Sequence, residues 1–275
     1  MNFGGGLGNQ LFQYASARGL MKRNDLLLFD VSSYSKDYLS RHFSLGNYNI
    51  KGKLITNKIA NKFFIPNTKF NKIADLLGQF RFIKEDSFFI HEQLSKKVKF
   101  LTAIHGYWQS ALYFSNLRTE LLEELTPKEI PVLPEWLNEK NTVAVGVRRT
   151  DYLVDTKYGF IGEKYYIEAF KLIKEKVKNP FFIIFTDDLP WCKSFFKNES
   201  FIFCEENEWS KDYLKIYLMS KCSHQIISNS SFYWWGAWLN TGLDKIVIRP
   251  AHPFNDMSLL YESHYPEDWL VVNNL

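Results

Sequence analysis

The stretch TVAVGVRRTD, residues 142–151, decides how this chain is expected to fold. Its first part, Thr142–Val147, consists of small or β-branched residues, which is typical of a buried parallel strand, and a charged run follows directly. The segments FFIIFTDD at 181–188 and QIISNSS at 225–231 repeat this passage from apolar to polar residues. Because parallel strands end side by side and ligands bind beyond their carboxyl ends, the three polar runs are predicted to meet at one site.

The rest of the second half continues the alternation of strands and helices. Apolar residues at helical spacing predict helices at 162–178, 191–196, 209–222 and 232–239. Short apolar runs predict two more strands, at 201–204 and 245–248. Such alternation is typical of a doubly wound α/β domain with a parallel sheet.

The first half gives a less regular pattern. A glycine loop at 4–8 is followed by segments that predict helices at 9–22 and 59–77 and strands at 26–29 and 98–104. Few residues precede the glycine loop, so either the first strand is rudimentary or the translation start has been placed late. Prolines between 126 and 136 predict a linker, which divides the chain into an N-terminal α/β domain at 1–135 and a C-terminal one at 136–275.

Composition and charge narrow the function classes. The formal net charge of +4 is weak for a nucleic-acid-binding chain, and no RNA-binding aromatic motif is present. No window of about 18 apolar residues predicts a membrane span, and no apolar leader is recognisable. The cysteines lack metal or disulfide spacing, which fits a reducing cytosol. The basic stretch from Lys51 to Lys72 is either a solvated face or a surface that rests on anionic lipid.

Arg148 and Arg149 give the strongest chemical signal. A guanidinium group is permanently charged and grips phosphate oxygens in a bidentate way, so an adjacent pair can neutralise the pyrophosphate of a nucleotide sugar. Negative charge grows on that leaving diphosphate as the glycosidic bond breaks, and an arginine there stabilises the transition state. Asp151 lies close by in the sequence and either orients an arginine or accepts the proton of an attacking hydroxyl as general base.

The other two polar runs carry complementary groups. Asp187 and Asp188 could hold Mg²⁺ through phosphates, but with two arginines present a metal-free site is the simpler interpretation. One carboxylate would then bond the base or ribose, and the other would cap the following helix. Asn229, Ser230 and Ser231 precede a predicted helix, where they form a phosphate cradle, a plain helix cap, or both.

Two further groups belong to the first half. The glycine loop opens a predicted helix and is a potential anion site, although it matches neither the G-x-G-x-x-G nor the Walker A pattern. The last predicted strand of this half is followed by an imidazole, two rings and an amide, namely His105, Tyr107, Trp108 and Gln109. These side chains could line an acceptor sugar site, although a lone histidine is more often structural.

Together these segments resemble the signatures of glycosyltransferase family 11, the α-1,2-fucosyltransferases. The matching segments, in chain order, are GGLGNQLFQYA at 5–15, GYWQS at 106–110, VRRTDY at 147–152, FTDDLPW at 185–191 and SNSSFYWWGAWL at 228–239. The chain departs from the family pattern at Gly146, where the family usually has His, at Thr150, where it usually has Gly, and in its short N-terminus.

The resemblance implies a GT-B architecture, in which two Rossmann-like domains face each other across a cleft. It implies inverting, metal-independent and cofactor-free transfer of L-fucose from GDP-fucose to the 2-hydroxyl of a galactose-type acceptor. Arg148 would act on the donor diphosphate, and Asp151 would help to remove the acceptor proton. The donor would contact Arg149, Asp187, Asp188, Asn229, Ser230, Ser231, Phe232, Gly6, Gly8 and Asn9. The acceptor would contact His105, Tyr107, Trp108 and Gln109.

The expected setting is O-antigen or surface polysaccharide synthesis in the bacterial cytoplasm, with the protein free or peripheral at the inner membrane. The acceptor would be a galactose-containing glycan or lipid-linked oligosaccharide, and no nucleic acid partner is expected. Two alternatives stay open, a transferase for another 6-deoxyhexose and a catalytically inactive nucleotide-sugar-binding protein. The second is suggested by Gly146 and the short N-terminus.

Overall fold

The structure is a computed structural model that describes residues 1–22, 24–35, 41–55, 73, 78–85, 99–197, 201–204, 209–259 and 263–275. It divides into two compact units, Met1–Lys128 and Glu129–Leu275, which we call unit one and unit two. The division falls inside the proline-rich stretch at 126–136, a few residues before the predicted boundary. Most of the predicted helix at 59–77 and of the basic stretch at 51–72 lies outside the described residues.

The described residues of unit one form two pairs of parallel strands and a rudimentary strand at the start. The pairs are β1 (Leu28–Phe29) with β2 (Lys53–Leu54) and β3 (Phe80–Lys84) with β4 (Leu101–His105). Asn2 forms parallel bridges to both Asp30 and His105, so the first residues lie between β1 and β4. The backbone N–H of Asn2 donates to the carbonyl of Ile104 at 3.0 Å, and that of Phe3 donates to the carbonyl of Asp30 at 2.8 Å. The first strand is therefore rudimentary.

Helix α1 (Leu7–Leu20) follows the glycine loop and is buried along most of its length. It is joined to a second helix, α2 (Arg118–Glu124), by the buried carboxylate of Glu124. The Tyr14 hydroxyl donates to this carboxylate at 2.6 Å, and Arg18 donates to it at 2.7 Å and 2.9 Å. Breaking a buried charge pair by removing one partner typically costs about 3–5 kcal/mol, so this network fixes α1 within unit one.

Unit two is built on a six-stranded parallel sheet with the strand order β10-β9-β8-β5-β6-β7. Its strands are β5 (Thr142–Val147), β6 (Phe181–Thr186), β7 (Phe201–Phe203), β8 (His224–Ile226), β9 (Val247–Pro250) and β10 (Leu270–Val272). Its described helices are α3 (Glu163–Lys176), α4 (Leu189–Phe195), α5 (Asp212–Lys221) and α6 (Ser231–Trp238). Along the chain, β5 is followed by β6 and β7 on one side of the sheet, and β8, β9 and β10 then extend the sheet on the other side. This reversal confirms the predicted doubly wound α/β fold. Strand β10 has no counterpart in the sequence prediction.

The core of unit two explains why these segments form. Every residue of β5 is buried, and the buried face of helix α3 consists of Tyr165, Tyr166, Ala169 and Ile173. Burying a Val, Ile or similar side chain stabilises a fold by about 1.5–3 kcal/mol, so such runs outweigh modest local propensities. In helix α6, Trp234, Trp235 and Trp238 are buried, so these rings are packing residues.

The cysteines are free thiols in unit two. Cys192 and Cys222 are buried, whereas Cys204 is half-buried. Burial raises the pKa of the Cys192 and Cys204 thiols to about 11, so both stay protonated near neutral pH. In the part of the chain that the structure describes, none of the helices has the length and apolar character needed to cross a membrane.

Candidate active site

The three polar runs of unit two meet at the carboxyl edge of the sheet, as predicted. Strands β5 and β6 pair with Val147 opposite Thr186, so both polar runs begin at the next residue. Strand β8 lies on the other side of β5, which brings the run at 229–231 to the same edge. The strand order reverses here, which is where ligands bind in open α/β sheets. We call this edge the arginine site and define it by residues 148–151, 187–188 and 230–232.

Asp187 holds the loop that carries both arginines. Its Oδ1 accepts from the backbone N–H of Arg149 at 2.8 Å, and its Oδ2 accepts from the backbone N–H of Thr150 at 3.1 Å. The Thr150 hydroxyl also donates to Oδ2, and Nη1 of Arg148 lies 3.4 Å from it. Four groups of the loop therefore face this carboxylate, one at Oδ1 and three at Oδ2. This geometry favours a loop-shaping role for Asp187 over the predicted contact with the base or ribose.

Arg148 forms a bidentate ion pair with Asp151. Its Nε and Nη2 donate to the two carboxylate oxygens, each at 2.8 Å, and its guanidinium lies 5.8 Å from the centre of the Tyr152 ring. Burial lowers the pKa of Arg148, but the hydrogen bond to Asp151 and the charges of Asp187 and Asp151 outweigh burial and raise it above its ordinary value. Arg148 is therefore permanently charged. Both oxygens of Asp151 engage the arginine, which favours the orienting role over that of a free general base.

Arg149 is fixed by aromatic rings and by the second carboxylate. Its guanidinium lies 4.9 Å from the centre of the Trp191 ring and 5.3 Å from that of Phe160. Nη1 of Arg149 donates to Oδ2 of Asp188 at 2.6 Å, and Oδ1 of Asp188 accepts from the backbone N–H of Trp191 at 3.1 Å. Asp188 thus caps α4, as predicted for one of the two carboxylates. Stacking and the ion pair together orient the planar guanidinium.

The run before α6 forms the predicted helix cap. Ser230 is the N-cap residue, and its hydroxyl oxygen accepts from the backbone N–H of Phe232 at 3.3 Å. Burial raises the pKa of the Tyr152 phenol, and the neighbouring Ser230 hydroxyl lowers it in part. Ser231 and Phe232 open the helix, where the partial positive charge of the helix dipole lies. Tyr152 therefore links this helix start to Arg148.

Asn229 lies behind the cap and is buried. Its Nδ2 donates to the carbonyls of Gly159 at 2.9 Å and Pro253 at 2.6 Å. The amide thereby ties two separate loops to the segment that follows β8. Nδ2 of Asn229 is thus used within the protein, whereas its buried Oδ1 has no hydrogen-bond partner among the described residues, and its contact with the donor stays a prediction.

In unit one the glycine loop lies beside the run at 105–110. Oδ1 of Asn9 accepts from Nε2 of Gln109 at 2.8 Å, which joins a predicted donor-side residue to a predicted acceptor-side residue. Helix α1 has Gly6 as its N-cap and Gly8 in its first turn. The predicted site residues of this half are thus neighbours, and their roles toward a ligand stay predictions.

Trp108 differs from its neighbours because its ring is fully buried, with 0% of its surface exposed. The ring packs edge-on against Tyr113, with 5.6 Å between the ring centres. The carboxylate of Glu85 accepts from the backbone N–H groups of Tyr107 at 2.6 Å and Trp108 at 2.7 Å, which fixes this turn. A ring without an exposed face cannot stack on a sugar, so we reassign Trp108 to the core. Tyr107, with 39% of its surface exposed, keeps its predicted acceptor-side role.

His105 belongs to the sheet of unit one. Its Nδ1 lies 2.9 Å from Oδ1 of Asn2, in the rudimentary strand. Desolvation, together with the positive charge of Lys84, lowers the pKa of His105, so the imidazole is neutral at neutral pH. This contact favours the structural alternative for His105.

Several residues of the arginine site have partners that no sequence pattern reveals. Thr150 and Tyr152 stand in a matched segment, but only the structure shows that Thr150 bonds Asp187 and that Tyr152 is a neighbour of Ser230. Phe160 lies outside every matched segment and reaches Arg149 only through the fold. Among the described residues, no three His, Cys, Asp or Glu side chains form a cluster that could hold a metal ion. Metal independence stays a prediction.

Known families and proteins resemble this chain over most of its length. A family model described as Glycosyl transferase family 11 matches residues 1–273. An alpha-1,2-colitosyltransferase of Escherichia coli is 34% identical, covering 98% of this chain and 96% of the relative. The O-antigen biosynthesis glycosyltransferase WbnK of Escherichia coli is 31% identical, covering 91% of this chain and 93% of the relative. Among solved structures, a mutant of Arabidopsis thaliana FUT1 in complex with GDP matches with a TM-score of 0.49 and 11% identity, covering 92% of this chain and 70% of that chain.

Proposed function

The chain belongs to glycosyltransferase family 11, and from this premise we propose that it transfers L-fucose from GDP-fucose to the 2-hydroxyl of a galactoside. The observation that carries the proposal is the arginine site, where two oriented guanidinium groups and the start of α6 belong to one edge of the sheet. Such a site matches the diphosphate of a nucleotide sugar, whose growing charge must be stabilised as it leaves. The resemblance to α-1,2-fucosyltransferases supports the choice of sugar and linkage.

Arg148 is the arginine that we assign to the diphosphate. In its ion pair with Asp151 the two side chains are 31% and 40% exposed, against 22% and 17% in the pair of Arg149 with Asp188. Because the pair of Arg148 is the more exposed of the two, Arg148 is the arginine that loses less when it exchanges its carboxylate for phosphate oxygens. Its Nε and Nη2 would then grip the diphosphate in the same bidentate way.

The same exchange would release Asp151 beside the reacting atoms. A carboxylate freed from Arg148 can accept the proton of the 2-hydroxyl as that oxygen attacks the anomeric carbon. The bond from the anomeric carbon to the diphosphate oxygen breaks on the opposite face. Arg148 and the start of α6 would hold the charge left on the GDP. The two roles considered for Asp151 would then follow one another, orientation before donor binding and proton acceptance after it.

Colitose is the second candidate for the transferred sugar, because the 34% identical relative is an alpha-1,2-colitosyltransferase. Colitose is fucose without the 3-hydroxyl, so the two GDP-linked donors share the diphosphate and the methyl group. A site that hydrogen-bonds the 3-hydroxyl would reject colitose by a large factor, about 10⁴ to 10⁵, whereas a site without that bond would accept both sugars. Competition between the two donors therefore separates the candidates.

Transfer is tested by incubating the full chain with GDP-fucose or GDP-colitose and a panel of β-galactosides. We expect a fucosylated product whose linkage, determined by NMR, joins fucose to the 2-hydroxyl of galactose. Arg148→Lys is the matched control, because it keeps the charge and loses the bidentate fork. If product forms from GDP-colitose but not from GDP-fucose, the transferred sugar is colitose and not fucose. GDP binding without any product would contradict the proposal and favour the inactive nucleotide-sugar-binding alternative.

We place the reaction in O-antigen or surface polysaccharide synthesis, because the 31% identical relative is named for O-antigen biosynthesis. The acceptor would then be a galactose-containing, lipid-linked oligosaccharide at the cytoplasmic face of the inner membrane. Of the described lysines in the basic stretch, Lys51 pairs with Glu124 at 3.0 Å and Lys53 is exposed. Binding of the full chain to vesicles with and without anionic lipid tests this location, and equal binding to both would contradict an electrostatic contact.

A further inference from the structure

Tyr233 connects the two halves of the arginine site. It lies in the first turn of α6, close to the N-cap residue Ser230. Its hydroxyl donates to the carbonyl of Val147 at 2.8 Å. Val147 is the last residue of β5, and its carbonyl belongs to the peptide bond whose nitrogen is that of Arg148. One side chain therefore joins the helix start to the strand end that carries Arg148.

The Tyr233 ring lies directly on Gly146. A Cβ atom at position 146 would come within 2.4 Å of Cγ of Tyr233, so no side chain fits there while the ring is in place. Tyr233 is buried, and burial raises the pKa of its hydroxyl, so the phenol keeps the proton that it donates. The ring thus occupies the space that a larger residue at position 146, such as histidine, would need.

We infer that Tyr233 is a positioning residue for Arg148, on the premise of the proposed function that Arg148 holds the donor diphosphate. Because Tyr233 is buried, it acts through the distance between the end of β5 and the start of α6. That distance matters because a diphosphate held from both sides needs both sides in place at once. Gly146 is required for the same reason, since the ring must pass over it.

Tyr166 offers a matched comparison. It is also buried, and its hydroxyl donates to the carbonyl of Gly146 at 3.2 Å, one residue before Val147. It belongs to α3, whereas Tyr233 belongs to the helix that opens at the arginine site. Removing either hydroxyl deprives a buried carbonyl of a donor and lowers stability. Only the change at Tyr233 also loosens the link between Arg148 and α6.

GDP affinity is measured by calorimetry on the full chain, at a temperature where circular dichroism shows each variant folded. We expect Tyr233→Phe to weaken GDP binding about 3- to 10-fold, the effect of one hydrogen bond. Tyr166→Phe should leave GDP affinity within about twofold while lowering the unfolding temperature to a similar extent. In an Arg148→Ala background, Tyr233→Phe should change GDP affinity by less than about twofold, because the residue through which it acts is gone.

These measurements distinguish failure of the inference from failure of the proposed function. If Arg148→Ala leaves GDP affinity unchanged, the assignment of Arg148 to the diphosphate fails, and the role of Tyr233 fails with it. If Arg148→Ala weakens binding but Tyr233→Phe acts equally with and without Arg148, Tyr233 is a packing residue only. If Tyr233→Phe weakens GDP binding no more than Tyr166→Phe does, Tyr233 is likewise a packing residue only. In both of these cases the inference is overturned and the proposed donor site stands.

Discussion

Replacing Asp187 with asparagine removes one charged oxygen from the centre of the arginine loop while keeping the size of the side chain. The carboxylate accepts from the backbone N–H of Arg149 at 2.8 Å and that of Thr150 at 3.1 Å, and Nη1 of Arg148 lies 3.4 Å from it. An asparagine amide keeps one acceptor and presents an N–H group at the other position. We therefore expect Asp187→Asn to lose the bond to Thr150 and the contact with Arg148.

The magnitude of this loss is set by burial and charge. A hydrogen bond to a charged group contributes about 1.5–3 kcal/mol. The Asp187 side chain is only 17% exposed, whereas Thr150 is exposed, so water replaces part of what the N–H of Thr150 loses. We expect the free energy of unfolding of unit two to fall by about 1–2 kcal/mol. GDP binding should also weaken, because Arg148 loses the support of its loop.

Urea denaturation followed by tryptophan fluorescence measures the loss, since Trp191 and the tryptophans of α6 lie in unit two. Asp188→Asn is the matched control, because asparagine caps a helix as well as aspartate does and only the ion pair to Arg149 is lost. It should cost less than Asp187→Asn. An unchanged unfolding midpoint for Asp187→Asn, or a larger effect of Asp188→Asn, would refute a loop held by Asp187.

Other substitutions test the catalytic arginine, the core of unit one and the contact at Gly146. Arg148→Lys should remove most of the transfer rate, because an ammonium lacks the bidentate fork, and near-normal turnover of GDP-fucose would contradict the assignment. Burial raises the pKa of Glu124, but the hydrogen bond from Arg18 and its other partners hold it below the ordinary value of 4.5. The stability that this carboxylate contributes is present above that value and is lost as pH falls through the lowered pKa, so urea midpoints of Glu124→Gln should vary less in acid than those of the parent. Gly146→Ala should destabilise unit two by about 1–3 kcal/mol through overpacking. Unfolding midpoints measure this loss, and a Gly146→Ala variant as stable as the parent would disprove the contact.

The regular part of the fold is predictable because its signals are local and repeated. The segments that form β5 and β6 are apolar throughout and end in polar residues, so composition alone marks both their interior and their carboxyl ends. Strand β10 escapes prediction because Leu270–Val272 is too short to show a period. No run of charged or hydroxyl-bearing residues follows it to mark its carboxyl end. The rudimentary first strand is visible only through its bridges to Asp30 and His105.

The candidate site is predictable as a set of residues but not as a set of bonds. Parallel strands bring their ends together, so the meeting of Arg148 and Asp187 follows from the pattern. The bond from Thr150 to Asp187 spans 37 residues, and such pairings depend on strand register, which only the folded chain fixes. The prediction for Trp108 was wrong. Its ring follows a strand in a polar run and was therefore expected to contact a sugar. The ring is instead buried in the core, at a turn where Trp108 has a positive φ of 56°.

A crystal structure of the full chain with GDP tests the role of Arg148 most directly. We predict diphosphate oxygens about 2.7–2.9 Å from the guanidinium nitrogens of Arg148, beside the start of α6, with Asp151 displaced from the arginine. GDP bound away from this edge of the sheet, with the pair of Arg148 and Asp151 intact, would contradict that role.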